Sequence, residues 1–197
     1  MDFIPNELPT PILTERVSLR PVQVEDAPLI YEAVVESWPE LSRWLVWTLN
    51  PLEKLSVKDY EDFCLRKQKL FSKGEGLTFL SFNRMTHKLL GGGGLHQRNL
   101  EDSSFSLGFW IRTSETGKGY ATEVARSLTK YAFEKLGAKK VRAFHADDNE
   151  GSKNVLLKTG FDFVEVHPNA HKLLNLSVDE HHYVLRRAAD DQRGHDE

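Results

Sequence analysis

The chain has 197 residues, enough for one domain with a sizeable core, and its 40% hydrophobic and 28% charged content is that of a soluble globular protein. Its 26 basic and 29 acidic residues give a net charge of −3, which argues against a broad basic face for nucleic acid. No apolar run approaches the ~20 residues of a membrane span, no basic segment and apolar stretch open the chain, and one cysteine allows no intramolecular disulfide; a cytoplasmic protein without a metal site is expected.

Met1 to Glu15 carries three prolines and little periodicity, as an extended arm does. Arg16 to Arg20 alternates as a first strand that Pro21 stops. Asp26 and Pro28 start a helix with Leu29, Ile30, Ala33 and Val34 as its stripe, and Trp38-Pro39 is expected to break it. Leu41 to Trp47 reads as a short second helix with Trp44 and Trp47 on one face. Ser56-x-x-Asp59 resembles a capping box opening a helix to about Phe71, in which Cys64 is a small core residue. Strands follow at Leu77–Asn83, Leu89–His96 and Ser104–Arg112, with Gly91 to Gly94 signalling a bulge or a close approach of another backbone or ligand.

A helix with apolar residues at Ala121, Val124, Ala125, Leu128 and Ala132 comes next, with Gly137 as its C-cap. Lys140 to His145 is a strand, Asp148 or Asn149 caps a short helix ending at Gly160, and 161–166 and 181–186 are the last strands. His167 to Glu180 reads as a long connector because Pro168 and Asn169 favour turns. Ala188 to Glu197 is polar and expected to be disordered. With no internal repeat or linker, the expectation is a single α+β domain over 16–187, an arm over 1–15 and a tail over 188–197.

The chemistry-bearing stretch lies between the strand Leu107-Gly-Phe-Trp-Ile111 and the helix after Tyr120, where Gly117-Lys-Gly119 sits. Glycines at a helix mouth let unpaired backbone N–H groups turn toward one point at the positive end of the dipole, which suits a phosphate; an ordinary strand-to-helix turn has the same local sequence. A Walker A loop is excluded, because position 112 is Arg and position 119 is Gly. A dinucleotide fingerprint lacks its third glycine at Thr122.

The words Leu89 to His96, Leu107 to Ile111, Gly117 to Glu123, Asp148 to Ser152 and Lys158 to Phe161 resemble, in order and spacing, the GNAT N-acetyltransferases. Within that family they are most similar to the Rim branch, which acetylates ribosomal-protein N-termini. The resemblance covers roughly Arg16 to Arg187. It departs at Ser114, where the family's acetyl-CoA loop begins with Arg or Gln. It implies a mixed, mostly antiparallel sheet, flanked by helices and splayed at its fourth and fifth strands, with the pantetheine arm of acetyl-CoA entering the gap.

By the same resemblance, the backbone of Phe109, Trp110, Ile111 and Arg112 meets the pantetheine and thioester. Gly117, Lys118, Gly119, Tyr120, Ala121 and Thr122 hold the pyrophosphate. Asn149 and Ser152 contact the pantetheine, and the Ser152 hydroxyl protonates the departing sulfur; both residues equally suit a helix cap. Trp44 and Trp47 would wall the acceptor cleft or else pack in the core.

The family's general-base positions are Ser106 and Val164 here, neither of which can take a proton usefully. Glu165 is next to the second, but a one-residue offset in a strand points to the other face. His96 and His145, both near strand ends, are the remaining candidate bases. The implied activity is transfer of acetyl from acetyl-CoA to a primary amine, a protein N-terminus or a small molecule, by direct attack without an acyl-enzyme. The alternatives are a detoxifying enzyme for a small amine and a non-catalytic acyl-CoA sensor. Nucleic acid and membrane are not expected as partners, and the chain is expected to act as a monomer or homodimer.

Overall fold

Alternating apolar residues build the sheet, and the computed structural model describes residues 11–45, 52–173 and 177–187. The strands are β1 (Ile12–Leu13), β2 (Val17–Pro21), β3 (Leu77–Asn83), β4 (Leu89–Asn99), β5 (Ser104–Ile111), β6 (Lys140–Ala146), β7 (Asp162–Lys172) and β8 (Ser177–Arg186). The α-helices are α1 (Ala27–Leu41), α2 (Val57–Ser72), α3 (Tyr120–Glu134) and α4 (Glu150–Thr159). One sheet runs in the order β1-β2-β3-β4-β5-β6-β8-β7. Every neighbouring pair is antiparallel except β5 and β6. This is the α+β architecture expected, with helices on both faces.

Phe79 and Leu80 show the alternation that divides the core. Phe79 packs with Leu90, Leu95 and the α3 stripe of Val124, Ala125, Leu128 and Ala132. Leu80 faces the other way, toward Ile30 and Val34 of α1 and Tyr60 and Cys64 of α2. The Ser56–Asp59 box forms, with the Asp59 carboxylate accepting the Ser56 amide at 2.8 Å.

The glycine run in β4 is a close approach, and a register shift in the β3–β4 pair lies beside it. A Cβ on Gly91 would lie 2.1 Å from the Trp110 carbonyl oxygen, and one on Gly93 would lie 2.8 Å from Leu128 Cδ1. Any side chain there would force β4 away from β5 or from α3.

The parallel pair is short. Ser104, Phe105 and Ser106 pair with Lys140, Val141 and Arg142, and pairing stops there. Beyond it, β5 over 107–111 stays with β4, and β6 over 143–146 stays with β8. The sheet is therefore split at the strand before the glycine loop.

Several expectations are corrected. Trp38-Pro39 does not break α1, which runs through Pro39 to Leu41. Pro39 forfeits only the bond to the carbonyl of Val35, an exposed residue, and the helix closes two residues later. No second helix begins at Leu41: Ser42 to Trp44 form a turn, and Trp47 lies outside the described residues. The expected arm contributes β1 at its end, while residues 1–10 and the tail 188–197 are outside the described residues.

The expected connector from His167 to Glu180 is mostly strand. Register shifts after Phe163 and after His167 absorb the turn-forming residues, and Asn169 adopts φ +53° with its amide bonded to Asp179 Oδ1 at 2.9 Å. α3 stops at Glu134, and Gly137 takes its φ of +65° three residues later. Among the described residues no helix is long and apolar enough to cross a membrane.

Candidate active site

The glycine loop opens α3 as an anion cradle. Gly119 is the N-cap at φ +84° and Gly117 has φ +74°, left-handed values that glycine adopts freely. The first amide to bond back into the helix is Glu123's, to the Gly119 carbonyl at 3.1 Å. Among the described residues, the amides of 117–122 have no backbone acceptor. A Cβ on Gly117 would meet nothing within 4 Å, so no side chain plugs the bend.

The loop is clamped to α1 from behind. Arg112 is buried and bonds Glu32 Oε1 at 2.9 Å and Glu36 Oε2, through Nε, also at 2.9 Å. Glu36 Oε1 accepts the Ser114 amide at 3.0 Å, and Ser37 Oγ accepts the Thr113 amide at 2.9 Å. The guanidinium of Arg112 and these donors hold the Glu36 carboxyl down at about 2.

A cavity of about 390 Å³ joins the loop to the split. Its wall includes Phe109, Trp110 and Ile111 of β5, residues Gly117 and Gly119 to Thr122, Asn149 and Ser152 of α4's first turn, and Trp44 on the opposite side. Asn149 caps α4, its Oδ1 accepting the Ser152 amide at 3.0 Å. Among the described residues the Ser152 hydroxyl has no hydrogen-bond partner, and Ser152 lines the cavity.

Four residues singled out in the sequence do not line this cavity. The Arg112 side chain belongs to the ion pair behind the loop. Lys118 Nζ bonds Glu115 Oε2 at 2.8 Å and the Ser114 carbonyl at 3.1 Å, so it is folded back onto the loop. His96 lies between Gly76 and Gly94, and burial with nearby Lys67 pushes it down to about 4. His145 is buried against Tyr183 Oη at 3.2 Å and the Ala146 carbonyl at 2.8 Å, and burial lowers its pKa.

Glu165 departs from its expected orientation. Phe163 pairs with Tyr183, whereas Glu165 pairs with His182, so Val164 is a bulge and Glu165 shares the face of His182 and Phe144. Sequence reasoning also missed a second hollow that adjoins Gly119 and Thr122, lined by Arg126 and Lys158 together with the Arg16–Glu123 ion pair at 2.7 Å. Arg126 is aimed by a bond to the Lys158 carbonyl at 2.6 Å. No periodicity flags Arg126 or Lys158, because cations on solvent-facing helix positions look like any other.

Together these features form an anion cradle leading into a split sheet, with a proton-bearing hydroxyl at the junction. That arrangement can hold a phosphorylated carrier with its arm in the split and accept a nucleophile from the Trp44 side.

Known proteins carry the same plan. The chain is 28% identical over 154 residues to the putative ribosomal N-acetyltransferase YdaF of Bacillus subtilis, covering 76% of this chain and 79% of that one. Among solved structures, the Mycobacterium smegmatis RimJ complex with CoA-disulfide superposes with a TM-score of 0.81 at 20% identity, covering 86% of this chain and 81% of that one. RimL, a ribosomal L7/L12 alpha-N-protein acetyltransferase in complex with coenzyme A, gives 0.81 at 17% identity over 91% and 97%. The family profile "Acetyltransferase (GNAT) domain" matches residues 16–162, and the chain belongs to that family as an N-acetyltransferase.

Proposed function

We propose that this GNAT enzyme moves an acetyl group from acetyl-CoA to the amine at a protein N-terminus, of the kind carried by ribosomal proteins. The observation that carries the reading is the single cavity in which the unpaired amides of 117–122, the open edge of β5 and the Ser152 hydroxyl meet. The loop amides and the cations of Arg126 and Lys158 suit the phosphates of coenzyme A. The unpaired edge of β5 suits a pantetheine arm bonded like a strand, which would set the thioester beside Ser152. The neutral amine attacks the thioester carbon directly, the carbon–sulfur bond breaks, Ser152 Oγ–H supplies the proton to the thiolate, and the proton the amine loses returns through water to the Ser152 oxygen.

A protein acceptor is favoured by the relatives, YdaF and RimL, that are named as ribosomal acetyltransferases.

Thiol release measured over a panel of N-terminal peptides and small amines tests the reading. Turnover on one or more peptides, exceeding that on every small amine, is expected. Turnover confined to small amines would replace it with the detoxifying alternative. Micromolar acetyl-CoA binding without any turnover would leave a sensor.

A further inference from the structure

We propose that the β7–β8 ribbon carries a binding site for a divalent ion of the zinc class, built from His167, Glu180 and His182. Strand register brings them together: His167 pairs with Glu180, and Glu165 pairs with His182, so their side chains share one face. The donor atoms of His167, Glu180 and His182 all lie within 4.8 Å of one another. His182 Nε2 is 2.9 Å from Glu180 Oε2, and His167 Nε2 is 3.1 Å from Glu165 Oε1, which makes Glu165 an available fourth ligand.

The carboxylate is aimed before any ion arrives. Its other oxygen, Oε1, lies 3.3 Å from Nδ1 of buried His171, and His171 Nε2 donates to the Trp44 carbonyl at 2.8 Å. An outer partner that fixes a ligating carboxylate is a regular part of metal sites. His182 is steadied from beneath by stacking on Phe144, with ring centroids 5.5 Å apart.

Two imidazoles with one or two carboxylates suit Zn2+, Co2+ or Ni2+, whereas Mg2+ and Ca2+ favour all-oxygen sets. Tetrahedral Zn2+ with bonds of ~2.0–2.1 Å needs donors roughly 3.3 Å apart. His167 is the residue that can close the gap, since its side chain is 47% exposed and held only by its contacts with Glu165 and the His182 ring. The ion would take the place of the proton shared between His182 Nε2 and Glu180 Oε2. This site stands apart from the acetylation reading, because none of its three ligands lines the cavity at the glycine loop.

Isothermal titration of the full chain with ZnCl2 tests the site. One ion per chain at micromolar affinity or tighter is expected, and His167→Ala, His182→Ala and Glu180→Gln should each weaken it by at least about tenfold. His87→Ala, in an exposed turn, should bind as the wild type does. Zn2+ should raise the melting temperature of wild type and His87→Ala but not of His167→Ala, whose exposed position leaves folding intact. Absence of saturable binding, or binding that His167→Ala and His182→Ala leave unchanged, overturns the proposal.

Discussion

Glu36 on α1 holds Arg112 with one carboxylate oxygen and the Ser114 amide with the other, so a helix on one face of the sheet fixes the start of the anion loop that leaves central strand β5. Ser37 adds a second tether through the Thr113 amide. Glu36→Gln leaves the buried guanidinium with Glu32 as its only carboxylate, beside the Leu89 carbonyl, at a cost of roughly 2 kcal/mol. The pH dependence has a definite sign. A carboxyl held at about 2 contributes its stability above its ordinary value of 4.5 and loses it as pH falls toward 2. The melting-temperature gap between wild type and Glu36→Gln should be constant above about pH 4.5 and should close below it. A gap that persists to pH 2 would show that the pair does not govern this stability.

Gly119 separates strain from charge. Gly119→Ala places a Cβ at φ +84°, at a cost of about 1–2 kcal/mol, with Arg16 Nη2 as its nearest neighbour at 3.5 Å. The alanine variant should fold and bind acetyl-CoA more weakly. Gly119→Glu adds a negative charge beside the unpaired amides and should abolish binding by titration calorimetry while the chain stays folded. Equal affinity in the two variants would mean that the loop does not meet the phosphates.

Ser152 tests the chemistry. Its amide is tied to Asn149 Oδ1 and its hydroxyl is left facing the cavity, so capping and proton donation use different atoms of one residue. Ser152→Ala keeps the amide bond and should preserve the fold and acetyl-CoA affinity. Turnover should fall by about 10²-fold or more, the usual worth of a positioned acid. Unchanged turnover removes Ser152 from the reaction.

The sheet and the loop were legible because local signals there agree with the tertiary outcome. Leu77–Asn83 has its expected bounds, and Asn149 and Gly160 cap α4 as their residue types suggest. The outer halves of the β7–β8 ribbon were legible as strands over 161–166 and 181–186, but its inner part was not, because Pro168 and Asn169 read as turn residues while two register shifts let the strand continue past them. The same bulge at Val164 reverses the face assigned to Glu165, and no alternation rule anticipates a bulge. His171 reads as a connector residue yet is buried between Glu180 and the Trp44 carbonyl. Long-range contact placed it there, and nothing in its neighbours announces it.

The Arg126 cation yields a prediction about which phosphate it serves. Arg126 borders the hollow beside Gly119 and not the cavity, whereas Lys158 lines both, and Arg126 Nη2 is bonded to the Lys158 carbonyl at 2.6 Å. A cation outside the loop mouth suits a phosphate outside the pyrophosphate, which in coenzyme A is the ribose 3′-phosphate. Arg126→Ala should weaken coenzyme A binding by about fivefold, near 1 kcal/mol for an exposed charge contact, and the loss should shrink with added salt. Dephospho-coenzyme A lacks that group, so its affinity should be nearly the same for wild type and variant. An equal loss for both ligands would move Arg126 to the pyrophosphate, and no loss for either would leave it a solvated residue.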